Sequence, residues 1–174
     1  DSTIVFPWAM TLGAVQDNNL IYETGKEIAN QCKILGLHMN FAPVVDVNNN
    51  PNNPIIGRRS FGENPMLVSE KAIAYMRGMQ DNNILACAKH FPGHGDTNVD
   101  SHNKMPILLH NQARIDSIEL YPFNDMIYNG MSSIMVGHIS LPKIDSSNLP
   151  NSLRAVPILL YVSANSGLID IAFL

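Results

Sequence analysis

The chain has 174 residues, of which 45% are hydrophobic and 15% charged, and its 11 Lys and Arg against 15 Asp and Glu give a net charge of −4. This composition is typical of a globular domain. The acidic balance and the absence of runs of Lys or Arg argue against a nucleic-acid partner, because binding to phosphates requires clustered cations. No stretch approaches the roughly 18 consecutive apolar residues that a membrane span needs. The N-terminus lacks the basic and then apolar pattern of a signal peptide, so a cytoplasmic and an exported location both stay open.

Three apolar runs recur at a nearly constant distance and predict β-strands: residues 37–45, 84–90 and 132–139. Their starts lie 47 and 48 residues apart. A segment with helical periodicity precedes the first two runs, and each segment presents one apolar face. These faces consist of Ile21, Ile28, Cys32 and Leu35 in the first segment and Val68, Ala72, Tyr75 and Met79 in the second.

The predicted helices have residues that favour helix ends. Gly36 follows the first helix as a candidate C-cap, and Asn64 followed by Pro65 is typical of an N-cap with a first-turn proline. A third helix is predicted to begin at Pro122 and to end before Gly130. Its inward residues are expected to be Phe123, Met126 and Ile127.

Helices that alternate with nearly all-apolar strands predict a parallel sheet covered on both faces, the α/β class. In such sheets the chemistry collects on the loops that follow the strands. Two of these loops are long, residues 46–60 and residues 91–105, and the Asn residues of the first are expected to form turns. At its start, Asp46 either supports the loop or forms a turn. Cys32 and Cys87 lie among apolar residues, and we expect both to be buried free thiols.

The second loop holds most of the candidate functional residues. Residues 89–102 contain one lysine, two aspartates and three of the six histidines. A buried strand that ends in Lys89 and His90 has to desolvate both side chains, which costs several kcal/mol unless polar partners are present. A bound polar ligand could supply these partners.

Three interpretations compete for this segment. A metal could be bound by His90, His94, Asp100 and His102. The spacing of His90 and His94 would suit a metal site on a helix, but the Gly and Pro residues of this segment exclude a helix. The histidines could instead bind loop carbonyls, which we favour for His94. For Asp100 and His102 we favour acid/base catalysis, in which the carboxylate orients the imidazole and the other ring nitrogen donates a proton to a leaving group.

The run K-H-F-P-G-H-G at residues 89–95, followed by D-S-H at residues 100–102, resembles the signature of glycoside hydrolase family 3, in its bacterial β-N-acetylhexosaminidase branch. Two further blocks are similar to the neighbouring strands and loops of that family in the same order: residues 40–47 with 57–65, and residues 135–139. The similarity extends from about residue 2 to residue 158, so residues 1–174 are identified as a partial N-terminal catalytic domain of this family.

The resemblance implies a TIM (β/α)₈ barrel that removes terminal β-linked N-acetylglucosamine from glycans or cell-wall muropeptides with retention of configuration. It implies that His102 is the general acid/base and that Asp100 orients it. It also implies that Arg59, Lys89 and His90 bind the sugar hydroxyls. Neither a cofactor nor a metal is implied, and the partner is a carbohydrate.

The sequence departs from the family at the nucleophile, which is an Asp on a later strand of the relatives. Asp170 lies two positions too early, a shift of roughly 7 Å along a strand, so the nucleophile stays unassigned. A complete barrel takes about 250 residues, so this chain holds three to four βα units. We therefore expect the chain to retain the acid/base loop without a competent active site. A non-catalytic sugar-binding fragment and a β-N-acetylglucosaminide phosphorylase are the alternatives.

Overall fold

The computed structural model describes residues 3–99, 105–146, 149–153 and 170–173. The helices of this part are α1 (Ala9–Gly13), α2 (Asn18–Ile34), α3 (Pro65–Gln80), α4 (Gln112–Arg114) and α5 (Tyr121–Tyr128). Short 3₁₀ turns cover Gly57–Arg59 and Asn151–Leu153, and a π-helical turn covers Ile115–Glu119. The strands are β1 (Met39–Asn40), β2 (Leu85–Phe91), β3 (Ser133–Val136) and β4 (Asp170–Phe173).

The four strands form one parallel sheet in the order β1-β2-β3-β4. Helices separate the first three strands along the chain, so the predicted α/β class is confirmed. In this register Cys87 pairs with Ser133, and Ser133 pairs with Asp170. Asp170 therefore begins β4 and lies at the level of Cys87, two residues before Lys89. This level is below the carboxyl edge of the sheet, where sites of parallel sheets form.

The first predicted strand is much shorter than its apolar run. Its regular ladder covers two residues, and the chain then follows β2 with irregular hydrogen bonds. The carbonyls of Ala42 and Pro43 accept from Cys87 and Lys89, and the N–H of Val45 donates to the carbonyl of Lys89. The regular ladder ends at Asn40, where the N–H of Ala42 donates back to the carbonyl of Asn40, and Pro43 has no N–H with which to resume it.

The predicted helix ends are confirmed. The side chain of Asn64 accepts from the N–H groups of Met66 and Leu67, with Pro65 in the first turn. Gly36 follows α2 with a φ of 72°, the left-handed region that favours glycine. Leu35 was predicted on the buried face but is 63% exposed, because α2 ends at Ile34 and the chain turns away there. The inward residues of α5 are buried as predicted, and so are both free cysteines.

Helices α2 and α3 approach each other through glycines. A Cβ at Gly25 would lie 2.3 Å from the carbonyl oxygen of Tyr75, and one at Gly78 would lie 2.1 Å from the carbonyl oxygen of Tyr22. The two backbones are thus too close for any side chain at the crossing. No helix in the described part of the chain is long and apolar enough to cross a membrane.

Gly78→Ala is expected to lower the free energy of unfolding by about 1–3 kcal/mol, since the added methyl group has to push α2 away. This loss outweighs the gain in helix propensity of about 1 kcal/mol. Urea unfolding measures the difference, with Glu70→Ala as the matched variant at an exposed position of α3. Equal stability of Gly78→Ala and the wild type would contradict the close crossing.

Candidate active site

Asp46 is completely buried where the chain leaves the first strand segment. One carboxylate oxygen accepts from the backbone N–H groups of His90 at 3.1 Å and His94 at 2.6 Å, and the other lies 2.7 Å from Nδ1 of His90. A carboxylate can only accept, so Nδ1 of His90 carries the hydrogen and Nε2 is an acceptor when the ring is neutral. Asp46 therefore fixes both the orientation and the tautomer of His90.

The pKa of Asp46 reflects opposing effects. Burial alone would raise it, but the charge interaction with His90 and the hydrogen bonds from His90 and His94 lower the pKa below its usual value. Asp46 is therefore held as the anion that these donors require.

This lowered pKa predicts a pH dependence of stability. Because the pKa of Asp46 is lower in the folded state than the value of about 3.9 in the unfolded chain, its contribution is fully present above about pH 4 and is lost as the pH falls through the folded value. Urea unfolding of the wild type and of Asp46→Asn between pH 7 and lower pH measures this contribution. We expect the stability difference between the two proteins to shrink in acid, and a constant difference would contradict the assignment.

Lys89 and Arg59 complete a group of donors beside His90. Lys89 is partly buried near the carboxyl end of β2, and burial together with the nearby Arg59 lowers the pKa of its ammonium group. Arg59 is the last residue of the 3₁₀ turn in the first loop. The first loop and the carboxyl end of β2 thus bring the three predicted sugar-binding residues to the same edge of the sheet. Oxygen atoms of a bound ligand would stabilise these desolvated cations.

Asn53 connects the two loops. Its side-chain oxygen accepts from the N–H groups of Ile55 and Ile56, and its amide nitrogen donates to the carbonyls of His94 at 2.7 Å and Gly95 at 3.1 Å. The backbones are in direct contact, since a Cβ at Gly95 would lie 1.8 Å from the carbonyl oxygen of Val47. The expected turn-forming role of the Asn residues is confirmed for Asn53, which also anchors the second loop.

Arg59 also lines a cleft of about 170 Å³. The rest of the lining is mostly apolar and includes Pro43, Phe61 and Tyr75. Of the three predicted sugar-binding residues, only Arg59 contributes to this cleft.

The sequence of this chain is similar to a known protein family and to named relatives. The model of the glycosyl hydrolase family 3 N terminal domain matches residues 1–161. The chain belongs to this family. It is 40% identical over 151 residues to Beta-hexosaminidase A of Pseudoalteromonas piscicida, an alignment that covers 84% of this chain and 25% of that protein.

Solved structures of the family have the same fold. A family 3 beta-N-acetylglucosaminidase from Paenibacillus sp. str. FPU-7 has a TM-score of 0.92 at 38% identity, covering 99% of this chain and 33% of that one. NagZ from Neisseria gonorrhoeae has a TM-score of 0.81 at 29% identity, covering 87% of this chain and 45% of that one. This family 3 chain therefore spans a quarter to less than half of these relatives.

The predicted residues of this family 3 domain have different outcomes. Arg59, Lys89 and His90 lie together, whereas Asp100 and His102 lie outside the described residues. His94 is buried in the turn, as its predicted structural role requires, but its Nδ1 pairs with the hydroxyl of Thr97 rather than directly with a loop carbonyl. The metal interpretation was not favoured, and Asp46 and Thr97 already occupy Nδ1 of His90 and Nδ1 of His94.

Two features of this family 3 site were missed by sequence reasoning. The buried role of Asp46 was left open, although its position directly after an apolar strand was a usable signal. The bridging role of Asn53 had no signal, because it is one of several Asn residues in the loop and only tertiary contacts distinguish it.

Proposed function

We propose that this family 3 region is the partial catalytic domain of a β-N-acetylhexosaminidase that removes terminal β-linked N-acetylglucosamine from glycans or cell-wall muropeptides. The observation that carries the proposal is the group of Arg59, Lys89 and His90, in which the buried Asp46 orients His90, in a chain whose relatives are named beta-hexosaminidases. Arg59 and Lys89 can donate to the hydroxyl oxygens of a neutral sugar, which gain acceptor character as the transition state forms, and Nε2 of the neutral His90 ring can accept from a hydroxyl group.

In the proposed reaction, His102 donates a proton to the leaving oxygen while a carboxylate attacks the anomeric carbon. The glycosidic bond breaks and a glycosyl-enzyme forms with inversion at that carbon. His102 then removes a proton from water, which releases the sugar by a second inversion, so the configuration is retained. Asp100 orients the imidazole and stabilises its protonated form. The attacking carboxylate is not assigned, and the position of Asp170 at the start of β4 argues against it.

The proposed architecture is three to four βα units of a TIM (β/α)₈ barrel. The parallel order of the strands and the placement of the donors at the carboxyl edge of the sheet support it. In such barrels several strand ends supply one site, which agrees with Arg59 coming from the first loop and Lys89 and His90 from the end of β2.

The proposal is tested with a chromogenic N-acetyl-β-glucosaminide and the full-length protein that contains residues 1–174, with and without inorganic phosphate. We expect release of free N-acetylglucosamine that does not require phosphate. A sugar phosphate as the product would favour the phosphorylase. Saturable binding of the sugar without turnover would favour a non-catalytic sugar-binding fragment, and the absence of both binding and turnover would contradict all three functions.

A further inference from the structure

A charged network outside the proposed sugar contacts lies at the base of the segment that carries Asp100 and His102. Nε2 of His110 is 2.6 Å from a carboxylate oxygen of Asp96. Arg114 lies 3.8 Å from the same oxygen of Asp96 and donates to both carboxylate oxygens of Glu119 at 2.8 and 2.7 Å. Glu119 is 1% exposed.

This network is not a metal site of ordinary geometry. The ligand atoms of Asp96, His110 and Glu119 lie within 4.8 Å of one another, a spacing that could suit a cation. However, the guanidinium of Arg114 already occupies the position between the two carboxylates, and a second cation there would be repelled. In this network Arg114 pairs with the carboxylates of Glu119 and Asp96, and His110 is hydrogen-bonded to Asp96.

The network lies where the two parts of the second loop, before and after Asp100 and His102, come together. The outgoing part of the loop is anchored to the first loop by Asn53, through its bonds to residues 94 and 95. The returning part is anchored to the chain after β3, because Leu108 donates to Ser140 and Ser140 donates to Pro106. Among the described residues, Asp96 and His110 form the side-chain hydrogen bond that joins the two parts directly.

Glu119 packs this junction against the start of the second loop. Its side chain packs on Gly93, since a Cβ at Gly93 would lie 2.7 Å from Cβ of Glu119. Arg114 is in this way fixed by a buried carboxylate and also lies beside Asp96. The junction therefore joins the two ends of the segment in which Asp100 and His102 lie.

We propose that His110 and Asp96, supported by Arg114 and Glu119, are positioning residues for the acid/base segment. The proposal rests on the proposed hydrolase function. It assigns these residues no contact with the sugar: they set where the segment between them begins and ends. A displacement of about 1 Å at a proton donor can cost about 10²-fold in rate, so the loss of this junction has to appear in catalysis.

The test uses three variants of His110. His110→Ala removes the donor, His110→Asn has an amide that is too short to reach Asp96, and His110→Gln places an amide nitrogen near the position of Nε2. For the chromogenic substrate we expect His110→Ala and His110→Asn to lower kcat by about tenfold with KM within about twofold, and His110→Gln to recover most of the loss. His38→Ala, at an exposed histidine elsewhere, is the matched control.

A second readout does not depend on activity. Trypsin cleaves after Lys104, which lies between Asp96 and His110, and cleavage after the exposed Lys143 is an internal reference. We expect the ratio of the two cleavage rates to rise in His110→Ala and His110→Asn but not in His110→Gln. An unchanged ratio, or a His110→Gln variant that behaves like His110→Ala in both readouts, would overturn the proposal. If the wild type hydrolyses no substrate, the proposed function fails, and the cleavage ratio still decides whether the junction holds the segment.

Discussion

His102→Ala is expected to lower kcat/KM for a 4-methylumbelliferyl N-acetyl-β-glucosaminide by about 10²–10⁴-fold. The leaving oxygen would then depart without a proton donor, and kcat/KM reports the step in which the glycosidic bond breaks. The measurement is a fluorescent assay under steady-state conditions in the full-length protein that contains residues 1–174.

The leaving group provides the decisive comparison for this prediction. Dinitrophenolate leaves readily as an anion without protonation, so we expect His102→Ala to lose much less activity with a dinitrophenyl glycoside. His38→Ala should match the wild type with both substrates. Equal losses with the two leaving groups would show that His102 does not act as the general acid.

Asp46→Ala is expected to lower the free energy of unfolding by about 3 kcal/mol or more, because it leaves buried donors of His90 and His94 without an acceptor. The side chain of His90 also loses the partner that orients its ring. We therefore expect weaker binding of N-acetylglucosamine as well as a lower midpoint of urea unfolding.

Asp46→Asn separates the charge of this residue from its size. The amide keeps one acceptor oxygen but directs its NH₂ group toward a second donor. The free energy of unfolding of Asp46→Asn should therefore lie between those of Asp46→Ala and the wild type. If Asp46→Ala stayed within about 0.5 kcal/mol of the wild type, as a surface substitution does, the buried network would not contribute as the geometry indicates.

Most of the regular structure could be predicted from local patterns. Asn64 and Gly36 end their helices through contacts with near neighbours in the chain, and such contacts are visible in the sequence. The apolar runs identified the first three strands because strands buried on both faces lack alternation, whereas no run was assigned to β4. The first run predicted too long a strand, since the ladder ends at Asn40 while the chain continues alongside β2.

The residue types of the site could be predicted from the sequence, but the hydrogen bonds between them could not. Lys89 and His90 were recognisable as costly polar residues at the end of a buried strand. The hydrogen bond between His90 and Asp46 spans 44 residues, and the one between Asp96 and His110 crosses a loop. No sequence period reports such contacts, because they depend on how two loops pack against each other.

The central claim is that the donors around Asp46 bind a terminal N-acetylglucosamine. Calorimetric titration of the 174-residue chain with N-acetylglucosamine tests it most directly, with Lys89→Ala as the variant and Lys143→Ala as the matched surface control. We predict saturable binding by the wild type and by Lys143→Ala, and a loss of about tenfold or more in affinity in Lys89→Ala, as for a hydrogen bond from a charged group. No saturable binding, or equal affinity in Lys89→Ala and the wild type, would contradict the claim.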